Sequence, residues 1–325
     1  MNNNKISLLN GNSIELHYWF NDSSHIMDAI IHNKCEYELL GIIKEVALAF
    51  EAEIIIETEP LANGGIRRYF KIVSKSEKKS AVITTAIIVA LVTGIFITPI
   101  TTSISKVTEQ LIEKIFEDKE LKELEKEKLK LEIEKLKQET GKKTEFLNQN
   151  TVIKKRKSNF YKSLEECPKI EKISITIESE NKTPLSDENF VYKNNFKEYI
   201  LVSNDLEPVK IDNAIIEIIS PVLKKGKYKW MGIYNGESIP FNMKSNEFKT
   251  LVQTGEVEFK NGSSIDCYLE VRKKIDNEGL GKTVGHDVMR VNRYFENEKP
   301  IETSEGKKHR QQKEADEQQL KLFEE

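Results

Sequence analysis

The chain has 325 residues, sets 50 Lys+Arg against 53 Asp+Glu, and is 38% apolar with three cysteines. A single core seldom grows past about 250 to 300 residues, so the length argues for two domains. The net charge of -3 excludes a globally basic nucleic-acid coat, and Cys35, Cys167 and Cys267 stand too far apart for a CxxC zinc knuckle or a dense disulfide framework.

The first 30 residues lack the apolar stretch of a secretory signal, so the N-terminus is expected to be retained. Ile14 to Phe20 (IELHYWF) is β-branched and aromatic and reads as a strand, with Asn21-Asp22-Ser23-Ser24 turning the chain into a helix. From His25 to Phe50 apolar residues recur at spacings of three and four, which predicts one apolar helix face seeking a sheet. Glu53 to Glu59 and Ile66 to Val73 read as strands separated by a Gly64-Gly65 loop, completing a small β-α-β-β domain over 1–80.

Residues 81–104 carry no charge over 24 positions, long enough for one helix across about 30 Å of hydrocarbon at about 1.5 Å per residue. The segment is therefore expected to be a transmembrane helix kinked or ended by Pro99, the alternative being a buried helix of a soluble oligomer. Ala86, Ala90, Gly94 and Thr98 stand four apart and would form a stripe of small residues for close helix packing, hence self-association into a homo-oligomer in the lipid bilayer. Residues 105–150 are dense in Lys and Glu at helical neighbour spacings and predict a charged helix or coiled-coil stalk. In the linker 151–168, Lys154, Lys155, Arg156 and Lys157 precede Phe160 and Tyr161. Such a patch could hold anionic lipid or nucleic-acid phosphate with rings for stacking, or could be an ordinary solvated linker.

Over 169–296 the pattern is strand-like, with Asn235-Gly236 and Asn261-Gly262 as hairpin turns and a helix at Ser245 to Gln253, which predicts a mainly-β sandwich or barrel. Half of residues 296–325 are charged, so 297–325 is expected to be a disordered tail. The fold class expected for the whole is α+β.

Few residues suggest chemistry. His25, Asp28, His32 and Cys35 could ligate a metal, but they lack the HExxH spacing and a second ligand cluster, so no metal or cofactor is expected. Gly279 to Gly285 (GLGKTVG) fails the P-loop spacing and reads as a hairpin loop. No GxSxG occurs, and the chain is expected not to be an enzyme, an unrecognised site being the alternative.

The C-terminal Gln319-Leu320-Lys321-Leu322-Phe323 resembles the pentapeptide by which bacterial proteins dock on the replication sliding clamp. The resemblance implies that Gln319 would bond at the pocket rim while Leu320, Leu322 and Phe323 fill the cleft; Lys321 departs from the usual Ser or Asp. The order of a small α/β head (HYWFNDSSHIMDA), an apolar segment, a charged helix and a β domain (KYKWMGIYNG) resembles uncharacterised bacterial membrane-associated proteins without known activity. Arg67, Arg68, Lys71, Lys75, Lys78 and Lys79 ahead of the apolar segment place the N-terminal domain in the cytoplasm under the positive-inside rule, whereas clamp docking needs a cytoplasmic tail. The function expected is a membrane-associated, oligomeric, non-enzymatic binding protein, compatible with phage defence or mobile elements. A pore-forming effector with soluble sensing domains is the alternative.

Overall fold

The computed structural model describes residues 13–22, 26–58, 66–75, 79–116, 140–179, 182–224, 226, 228–296 and 299–323. The chain divides into two compact units, 1–203 with 277–280, and 204–276 with 281–325.

The first unit is built on an antiparallel sheet of five strands in the order β2-β3-β1-β4-β5. Its strands are β1 (Ser13–Phe20), β2 (Ile54–Thr58), β3 (Ile66–Ser74), β4 (Ile170–Glu178) and β5 (Asn189–Tyr192). Helix α1 (Ala29–Ala49) joins β1 to β2, and α2 (Lys79–Ile97), α3 (Ser105–Phe116), helical residues 140–149 and α4 (Thr151–Glu165) intervene between β3 and β4. The first four strands thus have the order and directions of the split βαβ, or ferredoxin-like, motif, with β5 added beside β4. Strand alternation sends Ile14, Leu16 and Tyr18 to the helical side, where they meet Phe70, Ile72, Ile173, Ile175 and Ile177 in one core. Asp28 starts α1 by accepting bonds from the backbone N–H of Ile30 and Ile31 at 2.8 and 3.0 Å.

The expected transmembrane helix is corrected by what surrounds α2. Among the described residues no helix is long and apolar enough to cross a membrane. Ala86 to Val92 are each 0% exposed, so every side of the helix is covered by protein rather than one seam. A helix apolar all round suits a deep core as well as lipid, and here sheet and helices take the place of acyl chains. The single-pass membrane location therefore falls with its helix. The small-residue stripe is used inside the chain: Ala86 and Ala90 are buried, and a Cβ at Gly94 would lie 2.8 Å from Thr108 Oγ1 of α3.

The helix C-terminus also explains the expected basic patch. The last carbonyls of a helix have no partner within it. Here Tyr161 Oη donates to Phe96 O at 2.7 Å, Tyr199 Oη to Ile97 O at 3.0 Å, and Lys157 Nζ to Thr98 O. The supposed linker is helix α4, begun by Asn150, whose side chain accepts from Val152 N and Ile153 N. Phe160 and Tyr161 are buried, so their rings are not free to stack on a ligand. Of the expected charged stalk, α3 and residues 140–149 are described, while 117–139 lie outside the described residues.

The second unit contains β6 (Asp205–Ser220), β7 (Trp230–Tyr234), β8 (Glu237–Met243), β9 (Ser264–Ile275), β10 (Gly281–Glu296) and β11 (Lys299–Glu302). Pairings β6–β7, β7–β8, β8–β10, β10–β9 and β9–β6 run in a ring, so five strands close into a barrel and β11 adds to β10. All ring pairs are antiparallel except β8–β10, which is parallel. Helix α5 (Asn246–Gln253) lies between the third and fourth barrel strands. This order, with one parallel pair and one helix after the third strand, is that of the OB-fold, a five-stranded Greek-key barrel. Register shifts in β6 after Leu206, Ile211 and Ile218, with Asn213 at φ +58°, mark bulges that bend a 16-residue strand enough to pair on both sides. Trp230, Phe241, Ile216, Leu269 and Val288 fill the interior with Phe248 of α5.

The expected disordered tail is instead helix α6 (Ser304–Phe323). Thr303 caps it by accepting from Gly306 N at 3.0 Å while its own N–H reaches Asn292 O at 3.0 Å. Gly306 sits where a Cβ would fall 2.2 Å from Asn292 O, so only glycine allows this approach to β10. Glu305 Oε1 also accepts from Val291 N at 2.8 Å. Residues 307–319 are exposed on every side, and the helix persists there with local pairs such as Arg310–Glu314 at 3.1 Å.

Candidate nucleic-acid interface

The loop between β6 and β7 reads Leu223-Lys-Lys-Gly-Lys-Tyr-Lys-Trp230, four lysines interleaved with two aromatic residues. The two rings have opposite fates. Trp230 begins β7 and is buried in the barrel, within 5.7 Å of Phe259 and 6.0 Å of Phe241, which fixes where the loop ends. Tyr228, two residues earlier, is 66% exposed, and Lys224 and Lys229 are exposed with it. Gly226 at φ +156° adopts a backbone that other residues rarely take, and its missing side chain leaves room for the Tyr228 ring.

Beneath the loop runs a groove of about 380 Å³, lined among others by Lys224, Tyr228, Asn246, Lys249, Thr250 and Gln253. Its described lining includes no carboxylate. The groove thus offers ammonium groups, amide and hydroxyl donors and one aromatic ring, a set suited to phosphate and an unstacked base. Beside it, strand alternation turns Met231, Ile233 and Pro240 outward while Trp230, Ile239 and Phe241 point in. Ile219 on β6 is likewise exposed, so the outer wall of β6, β7 and β8 mixes apolar side chains with polar ones, Glu217 and Ser238 flanking Ile233 and Ser220 standing beside Met231.

A larger cavity of about 450 Å³ in the same unit has a different character. Asp266, 1% exposed, takes two bonds from Arg293 at 2.7 and 3.0 Å and one from Asn292 at 3.2 Å. Arg310 is held by Glu302 at 2.9 Å. Its acids and bases neutralise each other, which makes it an ion-pair network at the root of α6.

The residues singled out by sequence are dispersed. His25 lies outside the described residues. His32 lies on α1 beside Glu36 at 3.7 Å and against the Tyr18 ring, and burial lowers its pKa. Cys35 is buried with its thiol 3.8 Å from Phe160 O, and burial pushes its pKa up, which suits an inert thiol. Among the described residues no group of His, Cys, Asp and Glu could hold a metal ion. Lys155 and Lys157 are buried, and Arg156 pairs with Glu38 at 3.2 Å, so most of the supposed patch is consumed within the fold. Gln319 is exposed on α6, while the side chains of Leu320, Leu322 and Phe323 fall outside the described ones. Sequence reading missed the β6–β7 loop, although its signal, lysines alternating with Tyr228 and Trp230, stands in the open. Comparison of the chain with known protein families, curated proteins and solved structures gives no match.

Proposed function

We propose that the chain is a non-enzymatic binding protein whose barrel holds single-stranded nucleic acid along the β6–β7 loop and the neighbouring outer wall. The observation that carries this is the exposed groove, with no carboxylate among its described lining residues, under a lysine-rich loop with Tyr228 at its surface. Barrel topology adds only that the second and third strands and their first loop are where such barrels accommodate oligonucleotides, and a fold by itself decides no function. Double-stranded DNA is a poorer fit, because the described residues of the loop present a ring for stacking and no helix or ribbon shaped for a major groove.

The test is fluorescence anisotropy of a labelled thymidine 20-mer with the full chain and with Lys224→Glu/Lys229→Glu. Both lysines are exposed, so the variant should fold unchanged. Affinity should fall tenfold or more, and the slope of log K against log salt should become shallower by about 0.7 for each phosphate the variant no longer neutralises. Equal affinity and equal slope in the two proteins would end the proposal.

The clamp-like pentapeptide extends this reading. It closes α6, whose 20 residues reach about 30 Å and whose root is fixed to the barrel by Thr303, Glu305 and Gly306. The pentapeptide thus stands at the far end of a helix that is exposed over 307–319. Deleting 319–325 should abolish capture of the chain by immobilised sliding clamp; capture that survives the deletion, or that never occurs with the full chain, rules docking out.

A further inference from the structure

We infer that the first unit carries its own stacking platform for an unpaired nucleotide, at the β4–β5 edge of the sheet face opposite the core, a face that elsewhere is buried at Glu15, His17 and Thr176. This extends the ligand class proposed for the barrel to a separate site, and rests on that reading only for the class. Trp19 of β1, Lys172 of β4 and Tyr192 of β5 are register neighbours across three strands, and Phe190 stands opposite Ser174. Ile173 and Ile175, between these β4 positions, point into the core, so the platform lies on the opposite face.

The three rings form a row, with centroids 6.0 Å apart from Trp19 to Phe190 and 6.3 Å from Phe190 to Tyr192. Phe190 is 38% and Tyr192 46% exposed, large apolar surface that the core does not use. The Lys172 ammonium lies 4.2 Å from the Phe190 centroid, 4.8 Å from that of Trp19 and 5.4 Å from that of Tyr192.

The row is also held in place. Trp19 Nε1 donates to Ser174 Oγ at 2.8 Å, and Ser174 Oγ donates to Glu188 Oε1 at 2.6 Å. A ring whose orientation is already fixed loses little freedom when a ligand stacks on it. Two exposed rings and a half-buried indole with one cation at their level match a ligand having a flat π face and a negative charge a few ångströms away, the pairing a nucleotide supplies. A neutral sugar would use the rings and leave the ammonium unanswered; an acidic peptide would use the ammonium and leave the rings.

The experiment is photo-crosslinking of a 5-bromouracil-substituted oligonucleotide to the full chain, with adducts mapped by mass spectrometry. Adducts at Trp19, Phe190 or Tyr192 are expected, reduced fivefold or more in Phe190→Ala/Tyr192→Ala and in Lys172→Glu, which keeps every ring. Adducts confined to the segment around Tyr228 would overturn the platform and leave the barrel standing. Adducts confined to the platform would do the reverse, and adducts at neither overturn both. Should the double variant melt early, Lys172→Glu decides alone: undiminished platform adducts in it sink the inference.

Discussion

Replacing Lys157 by Met should stabilise the protein at neutral pH and flatten its dependence on pH between about 7 and 10.5. Lys157 is 4% exposed, its stem lies among the residues that close α2, and burial lowers its pKa to about 7. In the unfolded chain the same amine titrates near 10.4. Between the two values the unfolded state binds more protons than the native state, so stability rises with pH across that window and is lost as pH falls through it. Below about 7 the amine is charged in both states and the native protein bears the whole penalty, an interval worth about 5 kcal/mol as an upper figure. The variant loses one bond to Thr98 O, a cost of about 1 kcal/mol, and keeps a chain of similar volume. The stabilisation should therefore be greatest at pH 7 and below and shrink toward pH 10. Tyr161 and Tyr199 are raised by burial, Tyr199 to about 12, and work in the opposite sense at higher pH. Because they are common to both proteins, the measurement is the difference between two urea-unfolding series from pH 6 to 10. A difference that stays constant across that range would show that the amine is not held in its buried place.

How much of this could be read from sequence depends on where the deciding partner lies. The β1-α1-β2-β3 order is local information: alternation in IELHYWF, the polar run Asn21-Asp22-Ser23-Ser24 and a stripe on α1 each speak within a few residues, although the helix begins later, at Ala29, with Asp28 as its cap. Residues 81–104 carry no such cue, because a helix destined for lipid and one destined for a deep core have the same apolar composition. What separates them is supplied from afar. The groups that satisfy the last carbonyls of α2 are Lys157, Tyr161 and Tyr199, 59 to 102 residues further along. The same distance misled the reading of the basic run, since four cations and two rings look like a surface until two of the cations and both rings are needed inside. Barrel closure was illegible for a related reason: it depends on a parallel pair between β8 and β10, whose partners His286 and Phe241 are 45 positions apart. For α6, half of 296–325 being charged pointed to an unfolded tail, but Thr303 and Gly306 fix its first turn and i,i+4 pairs carry it on. The candidate interface was written plainly in LKKGKYKW; recognising it required knowing that Trp230 faces inward and Tyr228 outward.

Substituting Gly94 by Leu should cost at least about 3 kcal/mol of stability, because this helix position faces protein and not lipid. A single Cβ there falls 2.8 Å from Thr108 Oγ1, and the backbone of Thr108 follows at 3.8 Å, so the larger side chain must push α3 away from α2. Thr108 is itself 1% exposed and Leu111 and Ile112 further along α3 are buried, which leaves the displaced helix nowhere to settle without opening the core. A graded pair of changes isolates the contact. Gly94→Ala should lose about 1 to 2 kcal/mol, and Thr108→Ala in the same chain, by removing the hydroxyl that the new methyl meets, should recover most of it. Chemical unfolding of the wild type, the two single variants and the double variant gives the coupling directly. In a lipid-facing helix leucine is as comfortable as glycine, so Gly94→Leu would be tolerated and the cycle would close with no coupling; either result would contradict the packing of α2 against α3.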